Sequence, residues 1–116
     1  QYRSVYHVDI HAASNKKFAH EALCQRGSTV RVWRDNNRDN MLDHDPESLD
    51  EGWFGINIHR SKSSGAANYV GAYSAGCQTF KNSTNFKLFM DVVKRSRDKY
   101  GNSFTYTLLE EQDFRN

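Results

Sequence analysis

Hydrophobic and polar residues alternate in several short stretches of this chain. Between Tyr6 and Ile10, the apolar positions are separated by His7 and Asp9, and His11 continues the polar series. This period of two is typical of a half-buried β-strand, which we place at residues 2–11. Similar patterns predict strands at 29–33, 53–59 and 104–109, and extended segments at 69–73 and 78–80.

One long segment has the period of an α-helix, from about Asn85 to Tyr100. Its apolar stripe consists of Phe86, Phe89, Val93 and Tyr100, flanked by Leu88 and Val92. Ser83 or Thr84 is placed to cap its start, and Gly101 suits the left-handed residue after its end. A second, short helix is predicted at 15–25, and polar loops are predicted at 34–52 and 61–68.

Strands therefore outnumber helices, and we expect a mainly β domain with one principal helix packed on it. The 116 residues are enough for one domain, spanning 1–116, and 37% of them are hydrophobic. Trp33, Trp53 and Phe54 are expected in its core. Because the chain begins at Gln1, we expect it to be excised or processed from a longer protein.

The charge balance is weak, with a formal net charge of +2. Nucleic acid is therefore not expected as a partner, and the basic stretch at 94–99 is interpreted as a solvated helix face. No apolar run is long enough to span a bilayer, so membrane insertion is not expected. The two cysteines allow at most one disulfide bond, which leaves the redox compartment open.

The most informative candidates for chemistry are His59 and Cys77, which lie on either side of a glycine-containing connection. A thiol is a useful nucleophile only as a thiolate, and a neighbouring imidazole can accept its proton. Gly76 allows a tight corner, at which backbone N–H groups can face a developing oxyanion. The imidazole also needs an orienting acceptor, for which we expect a backbone carbonyl in the Arg60–Ser63 loop. A purely structural role for both residues stays open at this point.

The segment from His59 to Thr79 resembles the catalytic signature of the L,D-transpeptidases, in which a histidine precedes a Ser/Thr-His-Gly-Cys motif. Here the second half is Ser74-Ala75-Gly76-Cys77, and fourteen residues separate His59 from Ser74, as the family's spacing allows. The pattern is also similar to a divergent, phage-associated subgroup. Three positions depart from the signature: Ala75 stands in place of its second histidine, Arg60 in place of a glycine, and Thr79 at its polar position two residues after the cysteine.

The resemblance implies a β-sandwich in which Cys77 is the nucleophile, His59 is the base and the Gly76 and Cys77 amides form the oxyanion site. It implies acyl transfer on peptidoglycan stem peptides, by transpeptidation, carboxypeptidase or endopeptidase action, without a cofactor. We expect Arg60, Tyr73 and Ser74 to contact the substrate. The implied location is the bacterial cell envelope, or a phage-encoded enzyme acting on the host wall; the oligomeric state stays open.

Three alternatives compete with this interpretation. The first is a non-catalytic cell-wall or phage binding domain on the same scaffold, with Arg60 and Ala75 marking lost activity. The second is a metal-dependent peptidoglycan hydrolase whose ligands come from the polar face of the first strand, at His7, Asp9 and His11. This alternative requires one more histidine, which would be His20, His44 or His59. The third is a calcium loop with oxygen ligands at alternating offsets, for which a polar turn is the simpler explanation; its candidates are Asp35, Asn37, Asp39 and Asp43. Cys24, in contrast, is expected to be a buried structural thiol.

Overall fold

Seven β-strands and one long α-helix form the parts of the chain that the computed structural model describes, which are residues 1–34, 46–67, 77–109 and 111–115. The strands are β1 (Tyr2–His11), β2 (His20–Gln25), β3 (Val30–Trp33), β4 (Leu49–Gly52), β5 (Ile58–Arg60), β6 (Gln78–Phe80) and β7 (Phe104–Tyr106), and the helix α1 is Ser83–Tyr100. Short 3₁₀ turns lie at Pro46–Ser48 and Glu111–Phe114. The prediction of a mainly β domain with one principal helix is confirmed.

Five of the strands form the main sheet, in the order β6-β5-β2-β1-β7, and β3 pairs with β4 in a second sheet. The long strands β1 and β2 are antiparallel, with His11 opposite His20 at one end of the pair. On the other side of β2 comes β5, which is antiparallel to β2 and parallel to β6. The strand that carries His59 therefore lies between the long hairpin and the strand that follows Cys77.

The helix packs against the main sheet through Phe86, Met90 and Val93, all of which are buried. Their spacing of three and four residues places them on one face. Asn82 caps the helix start, because its side chain accepts hydrogen bonds from the N–H groups of Thr84 and Asn85. Gly101 follows the last turn with a φ of 104°, a conformation that glycine adopts without strain. The predicted C-terminal glycine is confirmed, while the N-terminal cap is one residue earlier than predicted.

Several sequence-based predictions of burial were wrong, both on the helix and at the two tryptophans. Tyr100 belongs to the predicted apolar stripe but is 78% exposed, and Met90 takes a core position instead. Trp33 and Trp53 are exposed as well, whereas Phe54 packs against the core.

The predicted helix at 15–25 is also wrong, because residues 20–25 form β2. Asn15 turns the chain: its carbonyl accepts hydrogen bonds from the N–H groups of Phe18 and Ala19, and its side chain accepts one from Lys17. The residues after this turn pair with β1 over six positions. The hydrogen bonds and packing that β2 gains by pairing with β1 outweigh the weak helix propensity of this short segment.

The strand predicted at 53–59 is shorter than expected, since β5 begins at Ile58. Before Ile58, hydrogen bonds from side chains take the place of the backbone hydrogen bonds that would pair this segment with β2. Gln25, which is 2% exposed, accepts a hydrogen bond from the Ile56 N–H, and its own N–H donates to the Asn57 side chain. The loop predicted at 34–52 likewise contains β4, and the final strand ends at Tyr106 rather than at 109.

In the described parts of the chain, α1 is too polar to cross a membrane, and no other helix is long enough to do so.

Candidate functional site

His59 lies in β5, and Cys77 immediately precedes β6, the neighbouring strand of the main sheet. In the parallel pairing of β5 with β6, Ile58 is opposite Gln78 and His59 is opposite Thr79. Cys77 therefore lies one diagonal step from His59. Seventeen residues, 60–76, separate the two in the sequence.

The orientation of the His59 ring is set by the backbone carbonyl of the next residue. Nδ1 of His59 lies 2.6 Å from the Arg60 carbonyl oxygen, and a carbonyl can only accept. Nδ1 therefore carries the proton in the neutral ring, and Nε2 carries a lone pair. The predicted orienting carbonyl in the Arg60–Ser63 loop is confirmed.

His59 is 2% exposed, and burial lowers its pKa, an effect partly offset by the hydrogen bond to the Arg60 carbonyl. The ring is therefore neutral at pH 7. A neutral imidazole with a lone pair on Nε2 is the form that accepts a proton from a thiol.

The sulfur of Cys77 is half-buried beside the segment that leads into β5. Its Sγ accepts a hydrogen bond from the Asn57 N–H at 3.3 Å and donates to the Gly55 carbonyl oxygen at 3.3 Å. In this conformation the sulfur is directed toward residues 55–57, and no hydrogen bond joins it to the His59 ring.

Asn57 connects these groups, and the sequence reasoning assigned it no role. Its Oδ1 accepts the Gln25 N–H at 2.9 Å, so the other end of the amide, Nδ2, faces Nδ1 of His11 at 2.9 Å. An amide NH₂ only donates, so His11 carries its proton on Nε2 when neutral. Asn57 is 6% exposed. A polar residue at a predicted strand position beside His59 was the only signal that could have identified it.

Three histidines meet at this site. The rings of His11 and His59 are stacked with centroids 4.0 Å apart, and the His20 ring lies 5.3 Å from His11 and 5.9 Å from His59. Nδ1 of His20 donates to the Phe18 carbonyl oxygen at 2.8 Å, and its Nε2 is 3.4 Å from the Arg60 N–H. Burial lowers the pKa of all three rings, that of His11 to about 4.

The alternative of a metal-dependent hydrolase gains no support from this geometry. His20 and His59 do join His11, as that alternative required, but the predicted partner Asp9 is engaged with Arg26 at 3.0 Å. Among residues 1–34, 46–67, 77–109 and 111–115, no group of three or more His, Cys, Asp or Glu side chains is arranged to hold a metal ion. The stacked rings of His11 and His59 are nearly parallel, at 12°, rather than convergent on one point.

A cleft of about 630 Å³ opens beside the three imidazoles. We call it the histidine cleft; it is lined by His11, His20, His59, Lys17, Phe18, Arg60 and the segment 61–64. Arg60, expected to contact substrate, lies in this lining. Ser61 closes one side, and its hydroxyl donates to the Phe80 carbonyl oxygen at 2.9 Å.

Other sequence-based candidates lie outside the described residues. These are Tyr73, Ser74 and Gly76 at the cysteine corner, His44, and the calcium-loop candidates Asp35, Asn37, Asp39 and Asp43. Cys24 is described and is fully buried, with its pKa raised to about 11 by that burial. Its predicted role as a buried structural thiol is confirmed.

Comparison with protein-family models, with curated proteins and with solved structures finds no match for this chain. The resemblance to the L,D-transpeptidases is therefore carried by the segment from His59 to Thr79 alone.

Proposed function

We propose that this protein is a cysteine-dependent acyl transferase of an L,D-transpeptidase-like β-sandwich fold that acts on peptidoglycan stem peptides. The observation that carries the proposal is the fixed tautomer of His59. Its Nδ1 donates to the Arg60 carbonyl, so the unprotonated Nε2 lies on the strand next to Cys77. The site of action is the bacterial envelope, reached from within the bacterium or by a phage-encoded enzyme.

The first step forms a thioester. Cys77 rotates away from the Gly55 carbonyl, and its S–H proton passes to Nε2 of His59. The thiolate forms a C–S bond to a stem-peptide carbonyl carbon, while the carbonyl π electrons move to oxygen. In the L,D-transpeptidase-like arrangement the Gly76 and Cys77 amides stabilise that oxyanion.

The intermediate then collapses. The oxyanion re-forms the carbonyl, the peptide C–N bond breaks, and Nε2 of His59 returns the proton to the leaving amine. The thioester is next attacked by a second nucleophile, whose proton goes to Nε2. An amine as nucleophile gives a new peptide bond, and water gives a free carboxylate. In both cases Cys77 leaves as thiolate and regains its proton from His59.

The environment of the two groups supports this division of roles. Burial keeps His59 neutral at pH 7, and the Asn57 N–H donates a hydrogen bond that holds the Cys77 sulfur beside β5. The stacked His11 ring covers one face of His59 and limits its rotation. A thiol nucleophile and an imidazole base held in one tautomer are the two elements of cysteine–histidine catalysis.

A second candidate function is non-catalytic binding on the same scaffold. The sulfur of Cys77 is bonded to the backbone at Asn57 and Gly55 and not to His59, which suits a structural thiol. Arg60 and Ala75 depart from the L,D-transpeptidase signature at positions next to the reactive groups. Such a domain would bind peptidoglycan without releasing product.

The test is incubation of purified muropeptides with the protein, followed by mass spectrometry of the products. Wild type is expected to cleave or exchange a stem-peptide bond, and Cys77→Ala to lose at least about 10³-fold in rate. His59→Gln should lose about 10²–10⁴-fold. Cys24→Ala, which removes the other thiol, is the matched control and should keep its turnover. Full activity in Cys77→Ala would exclude the mechanism, and no turnover with retained binding would favour the second candidate.

A further inference from the structure

The histidine cleft carries positive charge that no acidic group in its lining balances. Its cationic side chains are those of Lys17, Arg60 and Lys62, and no Asp or Glu lines it in the parts of the chain that the structure describes. The three imidazoles are neutral at pH 7, so the charge comes from the three cations. An anion entering the cleft therefore meets a field of one sign.

The nearest acids on the strands behind the cleft are already neutralised. Asp9 of β1 pairs with Arg26 at 3.0 Å, and Glu21 of β2 pairs with Lys94 at 2.9 Å. Within residues 1–34, 46–67, 77–109 and 111–115, none of the salt bridges uses Lys17, Arg60 or Lys62. These three cations are available to an external partner.

The cleft also presents hydrogen-bond donors suited to an oxyanion. His11 holds its neutral-state proton on Nε2, because Nδ1 faces the Asn57 amide. The exposed Ser63 and Ser64 supply hydroxyl groups at the same opening. Guanidinium, ammonium and neutral N–H or O–H donors together match the acceptor-only oxygens of a carboxylate or a phosphate.

We infer that the histidine cleft is an anion-binding subsite, which receives a carboxylate or phosphate group of the ligand through Arg60, Lys17 and Lys62. This inference rests on the proposed function for the role of that ligand as substrate, since His59 lines the same cleft. A substrate anchored there by its anionic group places an uncharged neighbouring carbonyl toward β5 and β6. Recognition thus selects a free acid next to the reacting bond.

The test measures binding separately from chemistry. Cys77→Ala protein is titrated with N-acetyl-L-alanyl-D-alanine, with its C-terminal amide and with inorganic phosphate, while NMR follows the ring signals of His11 and His20. The free acid is expected to bind at least about tenfold more tightly than the amide, with an affinity that falls as salt rises. Lys62→Glu and Lys17→Glu should weaken binding at least tenfold. Lys99→Glu makes the same change of charge at the far end of α1 and should leave binding unchanged.

The outcomes separate the source of the anion from the existence of the subsite. Phosphate binding that is tighter than that of the free acid and is lost in Lys62→Glu supports the subsite and assigns it to a phosphate-bearing ligand. Equal affinity for acid and amide, or equal weakening by Lys99→Glu and Lys62→Glu, would overturn it. Anion binding by a wild-type protein that turns over no muropeptide supports the cleft and rejects the proposed chemistry, so the two failures are distinguishable.

Discussion

The imidazole rings of His11 and His59 are stacked face to face, with centroids 4.0 Å apart and planes 12° apart. They come from β1 and β5, which are separated by β2 in the main sheet. Two imidazolium ions at this distance would repel strongly, and burial lowers the pKa of both rings. The stack therefore exists with both rings neutral, which keeps His59 in the form that accepts a proton.

Asn57 is expected to position both the imidazoles and the thiol. Asn57→Ala removes the acceptor of the Gln25 N–H and the donor to His11, and should destabilise the protein by about 1–3 kcal/mol. It should lower turnover by about tenfold to a hundredfold, because the reacting groups lose their orientation. Urea unfolding and muropeptide turnover measure the two effects.

Asn102→Ala is the matched control for stability, because Asn102 bonds both backbone groups of Val8 in the same sheet. It should destabilise without slowing turnover at a temperature where both variants are folded. Equal turnover losses in the two variants would show that Asn57 acts only through stability. Asn57→Asp adds a readout of its own, since a carboxylate facing Nδ1 should raise the pKa of His11 above about 4 by NMR titration.

Stability should fall as the pH is lowered from about 6.5 toward 4. In the folded protein burial lowers the pKa of His11, His20 and His59, whereas in the unfolded chain they titrate near 6.5. The unfolded chain therefore binds more protons in this window, and each ring reduces the free energy of unfolding by up to about 1.4 kcal/mol per pH unit. The charged groups facing these rings, Arg26 and Arg60, act in the same direction.

Urea unfolding at pH 7, 6 and 5 measures this slope. His11→Gln should flatten it, because that ring has the most strongly lowered pKa of the three. A free energy of unfolding that is constant from pH 7 to 5 would contradict the neutral state of the cluster.

The two thiols should differ sharply in reactivity. Cys24 has no exposed surface, and burial raises its pKa to about 11, whereas Cys77 is partly exposed. Iodoacetamide at pH 7 should modify Cys77 within minutes and Cys24 only as fast as the protein opens. Mass spectrometry of the peptides identifies each modified site. The Cys24→Ala and Cys77→Ala variants show which thiol accounts for the fast reaction and which for the slow one. Equal rates at both sites would contradict the burial of Cys24.

Docking of α1 should depend on Met90 and not on its apolar neighbour. Met90→Ala removes a buried side chain that packs with Phe86, Ala22 and Cys24, and should cost about 2–5 kcal/mol. Leu88→Ala changes a residue that is 61% exposed and should stay within about 0.5 kcal/mol. Chemical denaturation compares the two, and a larger loss for Leu88→Ala would contradict the orientation of the helix.

The start of α1 should depend on the Asn82 side chain. Asn82→Ala leaves the N–H groups of Thr84 and Asn85 without their acceptor, and should cost about 1 kcal/mol. Asn82→Asp keeps an acceptor oxygen and adds negative charge at the helix N-terminus, so it should be neutral or slightly stabilising. A loss in Asn82→Asp as large as that in Asn82→Ala would assign the effect to something other than capping.

Local pattern was sufficient for several elements. The alternation in residues 2–11 predicted β1, and the apolar spacing after residue 85 predicted α1 with Gly101 at its end. These segments are long enough for side-chain periodicity to report the buried face. The orienting carbonyl next to His59 was also predicted, because a catalytic imidazole needs an acceptor for its second nitrogen and the adjacent backbone offers one within reach.

The sequence by itself therefore determined the mainly β class, the principal helix and the candidate pair of His59 and Cys77. Only the tertiary structure decided that His11 and His20 join His59, that Asn57 links them to the sulfur, and that residues 20–25 form a strand. Each of these depends on strand order and register, and those depend on contacts between residues far apart in the chain. Periodicity reports which face of an element is buried, but not which other element covers it.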